Sequence, residues 1–390
     1  MLSKKVEKFI LDNRSKSIRT TISFFFLLGL LMSYKLWVPN RFFPHIPIPF
    51  ITVKFNGLVG WTALLMLAIS LLCCIFYKSR ICLALIVFST IVLVLLDQMR
   101  MQPWVYLYFT ILTCLVLTGQ QIDRENTFMN CVQIICVGIY FWSGLHKLNS
   151  AFLDYTYTST LETLFLIRDK ELLLVLRNIG YLIPLVEIIC GVLLLFWRTR
   201  LVGIYIVVAL HFAILIFVSP LGINKNFIVI PWNIAMISIV FISFHKTKNQ
   251  ILKWDDSYKL RIMKSVTILL FWIMPFLNFF SMWDSYMSFS LYSDKSNKYF
   301  IAIEQSQIHK IDKRLIPFFV ELPNLKGGNL IDVNEWSMTE LNVPFYPEDR
   351  IFKKLSESFC KLNIDTEKLI FLKVSNYPKR EQYIPFKCKH

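Results

Sequence analysis

Residues 57–77 read GLVGWTALLMLAISLLCCIFY and contain no charged side chain. An α-helix needs about 20 apolar residues to cross the hydrocarbon core of a bilayer, so this stretch is long enough for one span. The same test along the chain predicts an all-α polytopic membrane bundle of about nine transmembrane helices. They lie near 18–38, 57–77, 80–97, 103–119, 129–148, 179–197, 201–218, 226–244 and 265–282.

The composition agrees with a membrane protein and excludes two other classes. Of the 390 residues, 55% are hydrophobic and 17% are charged, whereas a soluble domain has about a quarter charged residues. Such a chain is neither an ordinary cytosolic enzyme nor a disordered protein. The net charge of +16 lies largely in short segments beside the apolar runs, where Lys and Arg set topology. Nucleic acid is therefore excluded as a partner, and the lipid bilayer is the predicted one.

The distribution of basic residues predicts the orientation. If the N-terminus is cytoplasmic, the cytoplasmic segments carry seventeen Lys and Arg, and the short external loops carry seven. This excess follows the positive-inside rule. With an odd number of spans, the C-terminus is then extracytoplasmic. The predicted location is the plasma membrane, which is the inner membrane of a bacterium.

The chain divides into three parts. Residues 1–17 form a cytoplasmic segment, 18–282 the helical bundle, and 283–390 a small extracytoplasmic α+β domain. Within the tail, Tyr299–Ile303 and Leu369–Val374 have the pattern of strands, and residues 326–329 (Lys-Gly-Gly-Asn) are typical of a turn.

A helix is predicted from about Pro347, because Phe352, Leu355 and Phe359 form one apolar stripe. Two cysteines, Cys360 and Cys388, lie in this polar tail. A disulfide between them is compatible with an oxidising compartment, and the sequence leaves it open.

Three ionisable residues within predicted spans are candidate catalytic groups, because a buried charge in a membrane costs at least a few kcal/mol. Lys147 is interpreted either as a desolvated base or as a lysine whose stem extends to the headgroups. Glu187 lies far from either end of the sixth span, and both Lys147 and His211 could be its partner. The alternative role for Glu187 is a structural polar clamp between helices.

Four further residues are candidate ligand-binding groups: Tyr140, His146, Trp232 and Asn233. Tyr140 shares a helical face with Lys147, and His146 is adjacent to that face or is an ordinary interfacial histidine. Asn233 follows Pro231, which we expect to free a backbone carbonyl inside the eighth span. Asp97 ends the third span at the interface and needs no special role. No metal site is predicted.

The run Gly144-Leu-His-Lys-Leu-Asn149, with Pro184, Glu187, Arg198-Thr-Arg200 and His211, resembles the HTTM membrane domain of vitamin K-dependent γ-glutamyl carboxylase. It is also distantly similar to DoxX-type membrane proteins, and closest to uncharacterised bacterial members of this superfamily. The resemblance implies that Lys147 is the base, since it matches the second lysine of the family's Gly-x-x-Lys-Lys-Leu-Asp motif. His146 replaces the first lysine of that motif, and Asn149 replaces its aspartate.

Two functions follow. The first is a quinone- or lipid-associated oxidoreductase or modifying enzyme, with Lys147 as base, Glu187 and His211 as proton-relay or orienting groups and Asn233 as a hydrogen-bond donor. The alternative is a non-enzymatic membrane scaffold or accessory subunit that binds a membrane or extracytoplasmic partner through its C-terminal domain. Whether the protein is an enzyme stays open. The cofactor is unidentified, and a quinone or a lipid is compatible with the sequence.

Overall fold

The computed structural model describes residues 4–48, 57–118, 122–218, 226–253, 257–321, 329–362, 364–375 and 382–388. Within these ranges, six helical segments are long and apolar enough to cross a membrane. Three shorter apolar helices, of 16 or 17 residues, lie where the other three spans were predicted. The prediction of a multi-span helical protein is confirmed. The count of nine spans stays a prediction.

The helices of the N-terminal part follow in chain order. They are α1 Lys4–Asp12, α2 Arg14–Met32, α3 Tyr34–Trp37, α4 Gly57–Phe76, α5 Arg80–Leu96, α6 Pro103–Thr118, α7 Ile122–Lys147, α8 Thr158–Leu164, α9 Lys170–Arg177, α10 Leu182–Leu195, α11 Arg200–Val218, α12 Val229–Phe244, α13 Tyr258–Ile268 and α14 Met274–Leu277. Pro231 occupies the first turn of α12 rather than its interior. The expected break within this helix is therefore wrong, because the first turn does not need the missing N–H.

Helix α7 lies at the centre of the bundle. In its apolar stretch 83% of the residues are buried, whereas the other five long candidate spans have 28–39% buried. Those five are apolar on their outward faces as well, as expected of helices whose outer surface is in contact with lipid.

Helices α7 and α10 cross unusually closely, and two glycines make this crossing feasible. A Cβ atom on Gly144 would lie 2.5 Å from the carbonyl oxygen of Pro184 and 2.8 Å from Cγ1 of Ile188. A Cβ on Gly191 would lie 3.1 Å from the carbonyl oxygen of Val137. Small residues at such crossings let helix backbones approach each other in membranes. The close approach brings the side chains near the end of α7 against those of α10.

The C-terminal region contains a five-stranded antiparallel sheet and two helices, α15 Val333–Leu341 and α16 Asp349–Cys360. The strand order is β2-β3-β1-β4-β5. The strands are β1 Lys298–Ile303, β2 Phe319–Val320, β3 Asn329–Asp332, β4 Leu369–Ser375 and β5 Gln382–Phe386. The predicted helix and both predicted strands are confirmed as α16, β1 and β4. Of the predicted turn, residues 326–328 lie outside the described residues.

Burial and a covalent link hold this region together. On α16 the predicted stripe of Phe352, Leu355 and Phe359 is buried. Cys360, at the end of that helix, forms a disulfide with Cys388, which follows β5. The link ties the edge strand to the helix, and it settles the pairing that the sequence left open.

The sheet region packs on one end of the bundle through specific contacts. Glu340 Oε1 accepts a hydrogen bond from the backbone N–H of Phe43 at 2.7 Å, and the Phe43 ring lies 4.4 Å from that of Trp336. Asn342 donates to the carbonyl of Met32 at 2.9 Å. On another side of the bundle, Asn149 Nδ2 donates to Ser293 O at 3.0 Å, and the N–H of Thr156 donates to Asp294 Oδ2 at 3.0 Å. The two parts are therefore joined at more than one point.

Candidate functional site

Lys147 and Glu187 form a buried ion pair. The Lys147 Nζ atom lies 2.7 Å from each carboxylate oxygen of Glu187 and donates to Ser143 Oγ at 2.8 Å. Lys147 is 9% exposed and Glu187 is 4% exposed. The ammonium of the lysine is turned inward onto α10, where it meets Glu187. Of the two partners considered for Glu187, the structure pairs it with Lys147.

A second polar group lies across α7, α11 and α12. Tyr140 O–H lies 2.7 Å from His211 Nε2, and His211 Nδ1 lies 2.5 Å from Asn233 Oδ1. The Asn233 amide nitrogen donates to the carbonyl of Val229 at 2.7 Å, which orients the side chain with its oxygen toward the histidine. The tautomer of His211 with hydrogen on Nδ1 satisfies both contacts with an uncharged ring. All three side chains are buried.

Both polar groups line one cavity of about 530 Å³. Its wall contains six of the seven residues selected from the sequence, together with Ser143. The six are Tyr140, Lys147, Glu187, His211, Trp232 and Asn233. The rest of the lining is mainly apolar, as in many ligand-binding pockets, and much of it comes from α8, α10, α11 and α12. Residues far apart in the chain thus meet around one hollow.

His146 does not line this cavity. Consecutive residues on a helix point about 100° apart, so His146 faces away from the side that carries Lys147. Its ring stacks on Phe279 with the ring centroids 4.6 Å apart, and it is 1% exposed. The structure therefore separates His146 from the other six candidates.

A second cavity, of about 440 Å³, lies between the bundle and the C-terminal region. It is lined by more polar side chains, among them Asn297, Lys298 and Asp332. Val229, Trp232, Leu291 and Tyr292 line both cavities. The two hollows therefore share part of their wall.

Sequence reasoning missed a further buried ionic cluster around Asp97, which is 0% exposed. Its carboxylate is bonded to Arg41 and lies 3.2 Å from His45 Nδ1. Arg100, also 0% exposed, donates to the carbonyls of Leu36, Trp37 and Leu93 at 2.9–3.0 Å. The expectation that Asp97 needs no special role is wrong, because the loop after α3 folds over it. The prolines of this segment, Pro44, Pro47 and Pro49, predict a loop or a re-entrant turn from the sequence alone and give no sign of its position.

The fold and the apolar helices define a multi-span membrane protein. Within it, residues 125–226 match the model of a family described as methylamine utilisation protein MauE. This match covers about a quarter of the chain and includes Lys147, Glu187 and His211. It corrects the resemblance to HTTM and DoxX-type proteins, because the matching family is a different membrane family and neither of those two matches. No curated protein and no solved structure matches the chain.

Proposed function

We propose that this protein is a membrane accessory protein without catalytic activity of its own. The bundle anchors the C-terminal region, and that region binds a partner protein on the extracytoplasmic side. The observation that carries the proposal is the attachment of the C-terminal region to the bundle at several points, through Glu340 at Phe43 and through Asp294 at Thr156. A domain held in this way presents its outer surface in a constant position relative to the membrane.

The orientation in this proposal has two independent supports. Basic residues are more frequent in the segments placed in the cytoplasm, which favours an external C-terminus. The disulfide between Cys360 and Cys388 favours an oxidising compartment for the same region, since disulfides persist there and not in the cytosol. Within the described residues, the other cysteines are free, and all of them belong to the bundle.

The matching family supports a role in the membrane that assists other proteins, since its description names a process, methylamine utilisation, and no reaction. The enzyme hypothesis assigned Lys147 as a base from the family resemblance, and the family match does not support that resemblance. The contacts of Lys147 also favour a structural role, because an ammonium held between both oxygens of a carboxylate acts as a charged donor. The catalytic roles of Lys147, Glu187 and His211 stay predictions.

Site-specific photo-crosslinking in the native membrane tests the proposal. A photoreactive amino acid replaces Ile316, Leu362 or Ile384, which are 40–44% exposed in the C-terminal region. We expect at least one position to give an adduct of discrete mass with one protein. This outcome follows if the domain surface is a partner-binding surface.

Matched controls carry the same amino acid at Leu72 and Leu201, which are 50–51% exposed on the bundle. We expect these to give lipid adducts only. Adducts with protein at the bundle positions, and none at the three domain positions, would contradict the proposal and would place the partner within the membrane.

A further inference from the structure

We infer that the cavity beside the Lys147–Glu187 pair binds a membrane lipid whose head is uncharged and carries carbonyl or hydroxyl oxygens. This inference is independent of the partner-binding proposal, because it concerns the interior of the bundle. It depends on the size and position of the cavity, on the charge balance of its polar side and on a buried hydrogen-bond donor in its wall that has no acceptor.

The cavity is suited to an apolar chain that enters from the bilayer. Its volume of about 530 Å³ lies within the range of small-molecule sites, about 300–1,000 Å³. Among its lining residues, Leu182 and Ile183 of α10 are 58% and 40% exposed. In a membrane these side chains would contact lipid, so this side of the cavity opens laterally into the hydrocarbon.

The volume also argues against a helix of a partner protein as the occupant. An α-helix with its side chains is about 10 Å across and rises 5.4 Å per turn, so one turn takes roughly 420 Å³. The cavity therefore holds little more than one turn. A lipid can place its head and part of one flexible chain in this space while the rest of its chains stays in the bilayer.

The polar side of the cavity carries no net charge. The charges of Lys147 and Glu187 neutralise each other at 2.7 Å, and the contacts of His211 suit its uncharged form. A phosphate or an ammonium head would have to separate the ion pair and leave one buried charge uncompensated, which is strongly unfavourable. An uncharged head avoids this cost.

One donor in the wall lacks an acceptor within the part of the chain that the structure describes. The indole N–H of Trp232 is buried and has no partner. The half-buried hydroxyl of Ser143 accepts from Lys147 Nζ at 2.8 Å. Buried donors are normally paired, so the indole N–H favours a ligand that supplies an oxygen acceptor. A carbonyl or hydroxyl oxygen of an uncharged head provides it.

The test uses the full-length protein in nanodiscs that contain a photoactivatable diacylglycerol with an alkyne handle. In a parallel sample, phosphatidylglycerol with the same chains replaces it. After illumination, labelled peptides are mapped by mass spectrometry. We expect diacylglycerol labels on α10, α11 and α12 at cavity-lining residues, at least five times more frequent than those of phosphatidylglycerol. Equal labelling by both probes, or labels spread evenly over all lipid-facing helices, would overturn the inference.

A matched pair of variants separates the cavity from the outer surface of the same helix. Ile183→Trp fills the opening of the cavity, and Ile189→Trp adds the same ring on α10 at a position that is 48% exposed and does not line it. We expect Ile183→Trp to reduce cavity labelling at least fivefold and Ile189→Trp to leave it unchanged. Equal effects of the two variants contradict a specific site. Melting temperatures of both verify that the bundle is intact.

A second pair of variants tests whether the lipid head accepts a hydrogen bond from the cavity wall. Trp232→Phe removes one unpaired donor from the cavity wall, and Trp142→Phe removes a buried unpaired indole N–H that does not line the cavity. We expect a several-fold loss of diacylglycerol labelling in Trp232→Phe and none in Trp142→Phe. Unchanged labelling in Trp232→Phe would overturn the assignment of the head. Continued adducts at the C-terminal positions in these variants would leave the partner-binding proposal standing, so the two can fail separately.

Discussion

The bundle contains two buried ionic clusters that differ in their surroundings. The Asp97 cluster is closed in the sense that it borders neither cavity, with Arg41 on its carboxylate and backbone carbonyls around Arg100. The Lys147–Glu187 pair has a similar degree of burial but borders a cavity of about 530 Å³. Buried charge alone therefore does not distinguish a binding site from a structural clamp. The empty space beside the charged groups does distinguish the two, and an amino-acid sequence does not show that space.

The largest loss of stability is expected when the closed Asp97 cluster is broken. Asp97→Asn removes the charge that balances Arg41 and lies close to Arg100, and breaking a buried pair costs about 3–5 kcal/mol. The variant should melt far below the wild type or fail to accumulate in membranes. As a control, Asp154→Asn breaks a pair whose side chains are 30% and 46% exposed, and should cost less than about 1 kcal/mol. Similar stability of the two variants would show that the Asp97 cluster is not a clamp.

The Lys147–Glu187 pair beside the cavity should tolerate replacement of both residues together better than replacement of one of them. Lys147→Met leaves Glu187 buried and uncompensated, and we expect a loss of about 3 kcal/mol in thermal or denaturant unfolding. The double variant Lys147→Met, Glu187→Leu removes both charges and should recover to within about 1 kcal/mol of the wild type. A stable Lys147→Met protein that has lost a cellular function would instead favour the catalytic role of the lysine.

A substitution that disturbs the close crossing of α7 and α10 should lower the stability by an intermediate amount. Gly144→Ala places a Cβ 2.5 Å from the Pro184 carbonyl, which pushes the helices apart at a cost of about 1–3 kcal/mol. Gly57→Ala is the control, since a Cβ there has nothing within 4 Å. Melting temperatures of both report the difference. Equal values would mean that the crossing adjusts without strain and does not set the position of Lys147 against Glu187.

The stability should also depend on pH through Glu348, which lies in the C-terminal region. Burial, together with the charge of Asp284, raises the pKa of Glu348 to about 7, from an ordinary value of 4.5. A carboxyl group with a raised pKa stabilises the folded state at low pH. This contribution is complete below about pH 4.5 and is lost as the pH rises through 7. The melting temperature should therefore fall between pH 5 and pH 8.

Glu348→Gln should flatten this profile, because the amide does not ionise. Glu357→Gln, on the exposed side of α16, should retain the wild-type profile. A profile that is unchanged in Glu348→Gln would assign the pH dependence to another group. A flat profile in the wild type would contradict the raised pKa of Glu348.

Much of the fold could be predicted from the sequence because apolar runs and charge placement are local properties. The positions of α4, α11 and α16 can be predicted because the apolar pattern of each helix lies within one short, continuous stretch of sequence. The pairing of Lys147 with Glu187 was one of two options, and the sequence could not choose between them. That choice depends on the crossing at Gly144 and Gly191, which involves two helices at once.

Other features had no local signal. The loop that covers Asp97 is brought there by contacts between segments some fifty residues apart in the chain, such as the bond from Ile46 to Asp97. The separation of His146 from the cavity depends on which side of α7 faces α10. Family resemblance did not help, because the motif around Lys147 indicated a family that the comparison with family models does not support.

Val229, Trp232, Leu291 and Tyr292 line both the apolar cavity and the polar one, so the two hollows share part of their wall. Tyr292 is held in this wall by Asn226, whose amide donates to its hydroxyl at 2.6 Å. A ligand that displaced these side chains would therefore alter both hollows at once, the one that faces the lipid and the one beneath the sheet.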